Sequence, residues 1–203
     1  MRKVGLLLAL GLGMMLSGCI AGSLRPLYTD KDVTFDPGLL GKWQVAEEEP
    51  DSGLWTFAKT EDGGHSLTIE TKTDEGKTER GQWEAHVVSL GMYTFLDLYP
   101  APDEAVKEVV DEYGYLGLHS QYLLRRDQDT VRLAILDWDW LEAQLKQGKV
   151  HVGLADLGND TSVLTGSPPE LQQFYANAVR DSEAFPELIE LKRVPPGDVK
   201  PGK

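Results

Sequence analysis

Cysteine is almost missing from this chain. Its 203 residues hold one, Cys19, which excludes an intrachain disulfide and any cysteine-based zinc or redox centre. Positive charge is scarce, with 20 Lys+Arg against 33 Asp+Glu and a formal net charge of −13. A nucleic-acid surface needs clustered Lys and Arg to displace counterions from phosphates, so no nucleic-acid partner is expected. No apolar run approaches the roughly 20 residues that cross a bilayer as a helix. The four histidines, His65, His86, His119 and His151, are scattered without the i, i+4 spacing of a zinc helix, and no metal site is expected. His119 and Ser120 are neighbours, so in a strand their side chains point to opposite faces and do not form a nucleophile–base pair. Neither a Gly-x-Ser-x-Gly elbow nor a glycine-rich phosphate loop occurs. An apolar content of 41% is too high for a disordered chain, and the length suits one domain with a real core.

What is present begins at the N-terminus. Arg2 and Lys3 precede Val4 to Leu16, a 13-residue run in which glycine is the sole non-apolar type. That length fits the apolar region of a secretory signal. Leu16, Ser17 and Gly18 then lead to Cys19. The small residues let the chain lie extended in a peptidase cleft, and the ending on a lone cysteine resembles the lipobox of bacterial lipoproteins. The resemblance implies cleavage before Cys19, a diacylglyceryl thioether on its sulfur and acylation of its new amine. More than one acyl chain is what a stable hold requires. Residues 1–18 are thus expected to be a signal peptide, and residues 19–36 a lipidated cysteine with its tether. Without Arg2 and Lys3 the formal charge moves from −13 to −15. By the same resemblance, Ile20, standing where an aspartate would signal inner-membrane retention, implies a cell-envelope protein on the outer membrane, facing the periplasm, if the cell is Gram-negative. The covalent lipid on Cys19 is the one attached group expected; no cofactor is.

The body, residues 37–194, alternates with a period of two. Leu67, Ile69 and Thr71 share one strand face; so do Trp83, Ala85 and Val87; Leu116, Leu118, Ser120, Tyr122 and Leu124; Val131, Leu133 and Ile135; and Val150, Val152 and Leu154. The segment from Met92 to Tyr99 is apolar on both faces, which suits a strand covered on each side. Asp62-Gly63-Gly64, Glu75-Gly76 and Asp127-Gln128-Asp129 supply turn chemistry. Ser167-Pro168-Pro169-Glu170 is a capping box with proline at the first helical position, and Leu171, Phe174, Tyr175, Ala178 and Val179 then fall on one helical face. A second helix is expected from Asp139 as N-cap to before Gly148, burying Trp138, Leu141 and Leu145, and a third over residues 103–112. The expected fold is mainly β, a β-rich α+β chain: an antiparallel, strongly curved sheet or barrel with two or three short helices. Residues 195–203, rich in proline and glycine, are expected to form a flexible tail.

Phe35 to Trp43, with Gly41-Lys42-Trp43 at its end, resembles the opening motif of lipocalins. In that family the tryptophan plugs the closed end of the barrel and the glycine permits close backbone packing. Gly41 and Trp43 take those roles by resemblance, and Arg193 is the candidate for the arginine that stacks on the tryptophan. More closely, Leu27-Tyr28-Thr29 through Trp43 is similar to uncharacterised bacterial lipoproteins with lipocalin-like domains. The match is firm for these residues and architectural beyond them. A helix between two late strands departs from the family pattern.

Three functional readings remain open on these residues. One is a membrane-tethered barrel taking a small apolar or lipid ligand at its mouth. Another is a non-enzymatic interaction, assembly or inhibitor lipoprotein without a cavity, using acidic surface such as Glu47, Glu48, Glu49 and Asp51 to attract a cationic protein. The third is an enzyme acting on glycans, resting on Asp137, Trp138, Asp139 and Trp140, since indoles stack on sugars and paired acids hydrolyse them. For that cluster the simpler role is a helix cap with core and rim aromatics, and no catalytic residue is assigned.

Overall fold

The computed structural model describes residues 22–46, 53–73, 75–101, 117–158 and 161–195. The signal segment, Leu16, Ser17, Gly18 and Cys19, the acidic run 47–51, the third expected helix at 103–112 and the tail beyond 195 lie outside the described residues.

The strands are β1 (Gly22–Ser23), β2 (Val33–Thr34), β3 (Gly41–Val45), β4 (Leu54–Lys59), β5 (His65–Lys72), β6 (Thr78–Leu90), β7 (Tyr93–Pro100), β8 (His119–Arg126) and β9 (Thr130–Ile135). Helix α1 (Trp138–Lys146), β10 (Leu154–Gly158), β11 (Thr161–Leu164), helix α2 (Pro168–Ala178) and β12 (Glu187–Arg193) follow. Strands β3 to β9 pair in sequence order, β12 pairs with both β9 and β3, and eight antiparallel strands thereby close into a barrel. Closure leaves no edge among the eight. The segment from α1 to α2 is an excursion between β9 and β12. It adds β11 and β10 to a small sheet that reaches the barrel through β1, which pairs with β8.

Period-two alternation sorts side chains into two cores. Inward-facing Trp43, Trp55, Phe57, Leu67, Val87, Leu96, Leu124, Val131, Leu133 and Leu191 fill the barrel. Outward-facing Val88, Phe95, Leu123 and Ala134 pack beneath α2 and α1 with Leu171, Phe174, Tyr175 and Leu141. Strand β7 serves both cores, which explains why it is apolar on both faces. Each large side chain so buried contributes on the order of 2 kcal/mol.

Helix α2 forms as its capping box dictates. Glu170 Oε2 accepts from the Ser167 N–H at 2.7 Å and from the Ser167 hydroxyl at 2.6 Å, and Leu171, Phe174, Tyr175 and Ala178 bury their common face. Helix α1 differs from expectation at its start. Its N-cap is Asp137, whose Oδ1 accepts from the Trp140 N–H at 2.7 Å, while Asp139 sits exposed in the first turn. A carboxylate two residues earlier reaches the free N–H groups, and this brings Trp138 into the helix. Val150 and Val152 lie in irregular chain ahead of β10 and pack, partly buried, on the outer core. Their alternation reflects burial of one side of a loop.

Candidate functional site

One end of the barrel is shut. The turn Asp36–Leu40 crosses it, Leu39 enters the inner core, and the Trp43 indole N–H donates to the Leu39 carbonyl at 2.8 Å. Arg193, beside Trp43 in the β12–β3 pair, lays its guanidinium 4.1 Å from the indole ring centre. It also donates to the carbonyls of Leu40 at 2.9 Å and Gly38 at 2.6 Å. Gly41 has a φ of 118°, and a Cβ there would stand 3.1 Å from Arg193 Nη1. A side chain at Gly41 would be strained by its backbone and crowded by the arginine. The Gly-Lys-Trp motif and Arg193 thus form one plug.

The other end is a mouth. Inward-facing Val45, Ile69, Trp83, Ile135 and Ile189 ring it, each only partly buried, above a floor of Trp55, Leu98 and Tyr122. Burial pushes the Tyr122 phenol up to about 12, so it stays neutral at the floor. Gly81 pairs with Ile69 on the same inner face, and a Cβ there would fall 2.3 Å from the Trp83 ring. The missing side chain is what lets Trp83 lie along the wall. An apolar rim with a neutral floor suits the end of a hydrocarbon chain and gives no purchase to a charged group.

The outer wall carries a buried polar network that the sequence reading missed. Asp97, wholly buried, accepts from the Leu27 N–H at 2.8 Å, from His119 Nδ1 at 2.7 Å and from Gln121 Nε2 at 3.1 Å. Gln121 also donates to the Ser23 hydroxyl at 2.8 Å and accepts from the Tyr175 hydroxyl at 3.1 Å. Burial, with the Asp97 charge adding to it, holds the Tyr175 phenol neutral. The available signal was a polar residue inside an apolar strand: Asp97 between Leu96 and Leu98, and Gln121 beside Tyr122. The network fastens the segment after Gly22 to the barrel.

Two of the histidines, His86 and His119, approach the Tyr28 ring, at 4.2 and 6.4 Å. His65 faces inward at the closed end, stacked on Phe35 at 4.7 Å, with Nε2 3.0 Å from the Asp36 carbonyl. His86 lies outside under Tyr28, its ring 4.2 Å away, and burial lowers its pKa. His119 points outward and Ser120 inward, while His151 is exposed. Among the described residues, no three His, Cys, Asp or Glu side chains are placed to hold a metal.

The Asp137–Trp140 cluster divides. Asp137 is committed to its cap, Trp138 packs on the outer core and Asp139 faces solvent. Trp140 lies in a groove between α1 and α2 with its indole N–H 2.9 Å from Asp181 Oδ2, a bond that also lowers the Asp181 pKa. The two carboxylates therefore do not act as a pair.

Compared with protein-family models, curated proteins and solved structures, the chain matches none. Its reading rests on its own geometry, which is that of a lipocalin-like barrel.

Proposed function

We propose that this protein is a cell-envelope lipoprotein, held to a membrane by lipid on Cys19, whose barrel takes an apolar or lipid chain at its mouth. The observation that carries the ligand reading is the partly buried ring of Val45, Ile69, Trp83, Ile135 and Ile189, all inward-facing. The anchor is supported by Arg2, Lys3, the apolar run and Leu16-Ser17-Gly18-Cys19, and the outer membrane by Ile20. Because buried side chains pack the closed half of the barrel, a ligand would have room only among these ring residues. Only the end of a chain enters there, and the polar head stays outside.

Native mass spectrometry of protein released gently from membranes tests both parts. The polypeptide should begin at Cys19 and carry covalent acyl mass, and a further apolar adduct should dissociate on activation. Trp83→Glu with Ile135→Glu should keep the covalent mass and lose the adduct. A polypeptide beginning at Met1, or a free thiol at residue 19, removes the anchor. A bare barrel that also ignores an added fluorescent fatty acid removes the ligand.

The packed closed half favours a second reading, an interaction or inhibitor lipoprotein without a ligand. Its charge would then recruit a cationic protein, and a partner that dissociates as salt rises would support it.

A further inference from the structure

We propose that the groove between α1 and α2 is a second binding site, on the outside of the barrel, and that it takes an uncharged oligosaccharide. The proposal is independent of the mouth and of the lipid anchor.

Three stretches of chain build the groove. The Trp140 indole N–H donates to Asp181 Oδ2 at 2.9 Å and the Asp137 N–H to the Ala184 carbonyl at 2.9 Å, so the start of α1 meets the chain just past α2. After α1, the Thr165 N–H donates to the Gly153 carbonyl at 2.8 Å, which brings the chain back to the start of α2. Lys149, Val150 and His151 therefore run alongside α2. The open space between them is about 860 Å³, within the range of small-molecule sites. Partly buried Val150 with buried Phe174 and Ala178 form its floor. Exposed Gln173 and Asn177, one turn apart on α2, line one wall, and Lys149 and His151 the other.

This lining disfavours two classes of ligand. An apolar chain would strip water from the polar walls and give them no partner in return. Neither sign of ion is selected, because Lys149 and Arg180 balance Glu170 and Asp181 around the groove, although the chain as a whole is −13. What the groove offers is donors and acceptors side by side. Glu170 Oε2 is fixed by the Ser167 N–H and hydroxyl, and Asp181 by the Trp140 indole and, at 3.0 Å, the Glu183 N–H. These bonds lower both pKa values, so each side chain is a charged acceptor of set direction with lone pairs to spare. Among the described residues, no side-chain hydrogen bond or ion pair occupies Gln173, Asn177, Arg180 or His151. A sugar hydroxyl both donates and accepts, and this mixture answers both needs.

Trp140 supplies the complementary surface. It is half-buried and its one polar atom is committed to Asp181, so it presents ring carbon to the groove. A pyranose has an apolar C–H face rimmed by hydroxyls. An indole with a carboxylate at its edge matches the face and the rim together.

Titration calorimetry on the full chain, held in a sugar-free zwitterionic detergent, tests this with chitotetraose, cellotetraose and maltotetraose at millimolar concentration. At least one should bind. Trp140→Ala should weaken that binding about tenfold, the loss of one aromatic contact. Asn177→Leu, an exposed change that leaves the indole bond in place, should weaken it several-fold, and thermal melting reports whether each variant stays folded. No heat from any of the three sugars overturns the proposal. So does binding that is unchanged in every folded variant, or a preference for tetragalacturonate over all three neutral sugars.

Discussion

A single arginine holds the plug together. Arg193 donates to the carbonyls of Gly38, Leu40 and, at 3.4 Å, Gln128, and covers the face of a wholly buried tryptophan. Charge-assisted bonds and a cation–π contact each contribute on the order of 1 kcal/mol or more. Arg193→Ala should therefore lower unfolding free energy by about 2 kcal/mol, read from urea denaturation with an unchanged slope. Arg193→Lys should recover less than half of that, because an ammonium does not reach these carbonyls while stacking. Equal stability of all three proteins would remove the plug as a structural unit. Gly41 and Trp43 stand out in the sequence by their Gly-x-Trp spacing, and Arg193 only as the candidate that the resemblance supplies. Asp97 does not stand out, since a lone acid in an apolar strand has the same appearance whether it faces water or closes a network.

At the scale of elements, the least expected is the segment from Gly22 to Asp36. Its sequence has no period, holds Pro26 and is followed by Pro37, which suggests a plain tether. It is held instead by pairing at β1 and β2 and by Asp97, and it crosses β8, β7 and β6 on its way to the closed end. Asp97→Ala would leave the Leu27 N–H, His119 and Gln121 short of an acceptor, at a cost of about 3 kcal/mol. The first sign should be local: tryptic cleavage after Lys31, exposed on this segment, should accelerate well before the barrel melts. Asp97→Asn keeps an oxygen for Leu27 and should be cleaved at an intermediate rate. If Asp97→Ala resists trypsin as the wild type does, the network does not hold the segment. Helix α2 shows the opposite case, in which a capping box and an i, i+3, i+4 stripe fixed both its start and its buried face.

Across the whole molecule, stability should depend on pH through His86. Its folded pKa lies below the ordinary 6.5, chiefly because burial disfavours the charged ring. The unfolded chain then binds a proton that the folded one refuses. Stability is full above pH 6.5 and falls as the pH drops from there toward the lowered folded value. The carboxylates of Asp32, Asp62, Glu170 and Asp181 are held below their ordinary values by hydrogen bonds and act only in a separate, more acidic window. Thermal melts between pH 7 and 5 should show a falling midpoint, and His86→Gln should flatten that fall. An unchanged slope in the variant would assign the effect elsewhere.

The sequence by itself determined what is local or strictly periodic. It marked which strand residues share a face, where α2 starts, that a lone cysteine allows no intrachain disulfide, and that Gly41 and Trp43 stand at the start of a strand. Tertiary structure alone decided three things. Closure of the sheet depends on β12 returning to β3 across more than a hundred residues, and no local pattern encodes that pairing. Whether Asp97 meets water or Leu27, His119 and Gln121 depends on what lies over the outer wall. How far the interior fills depends on how the facing side chains meet across it, with Trp43 wholly buried and Trp83 only partly so. Periodicity specifies the direction of a side chain, but its contacts are set by chain segments distant in sequence.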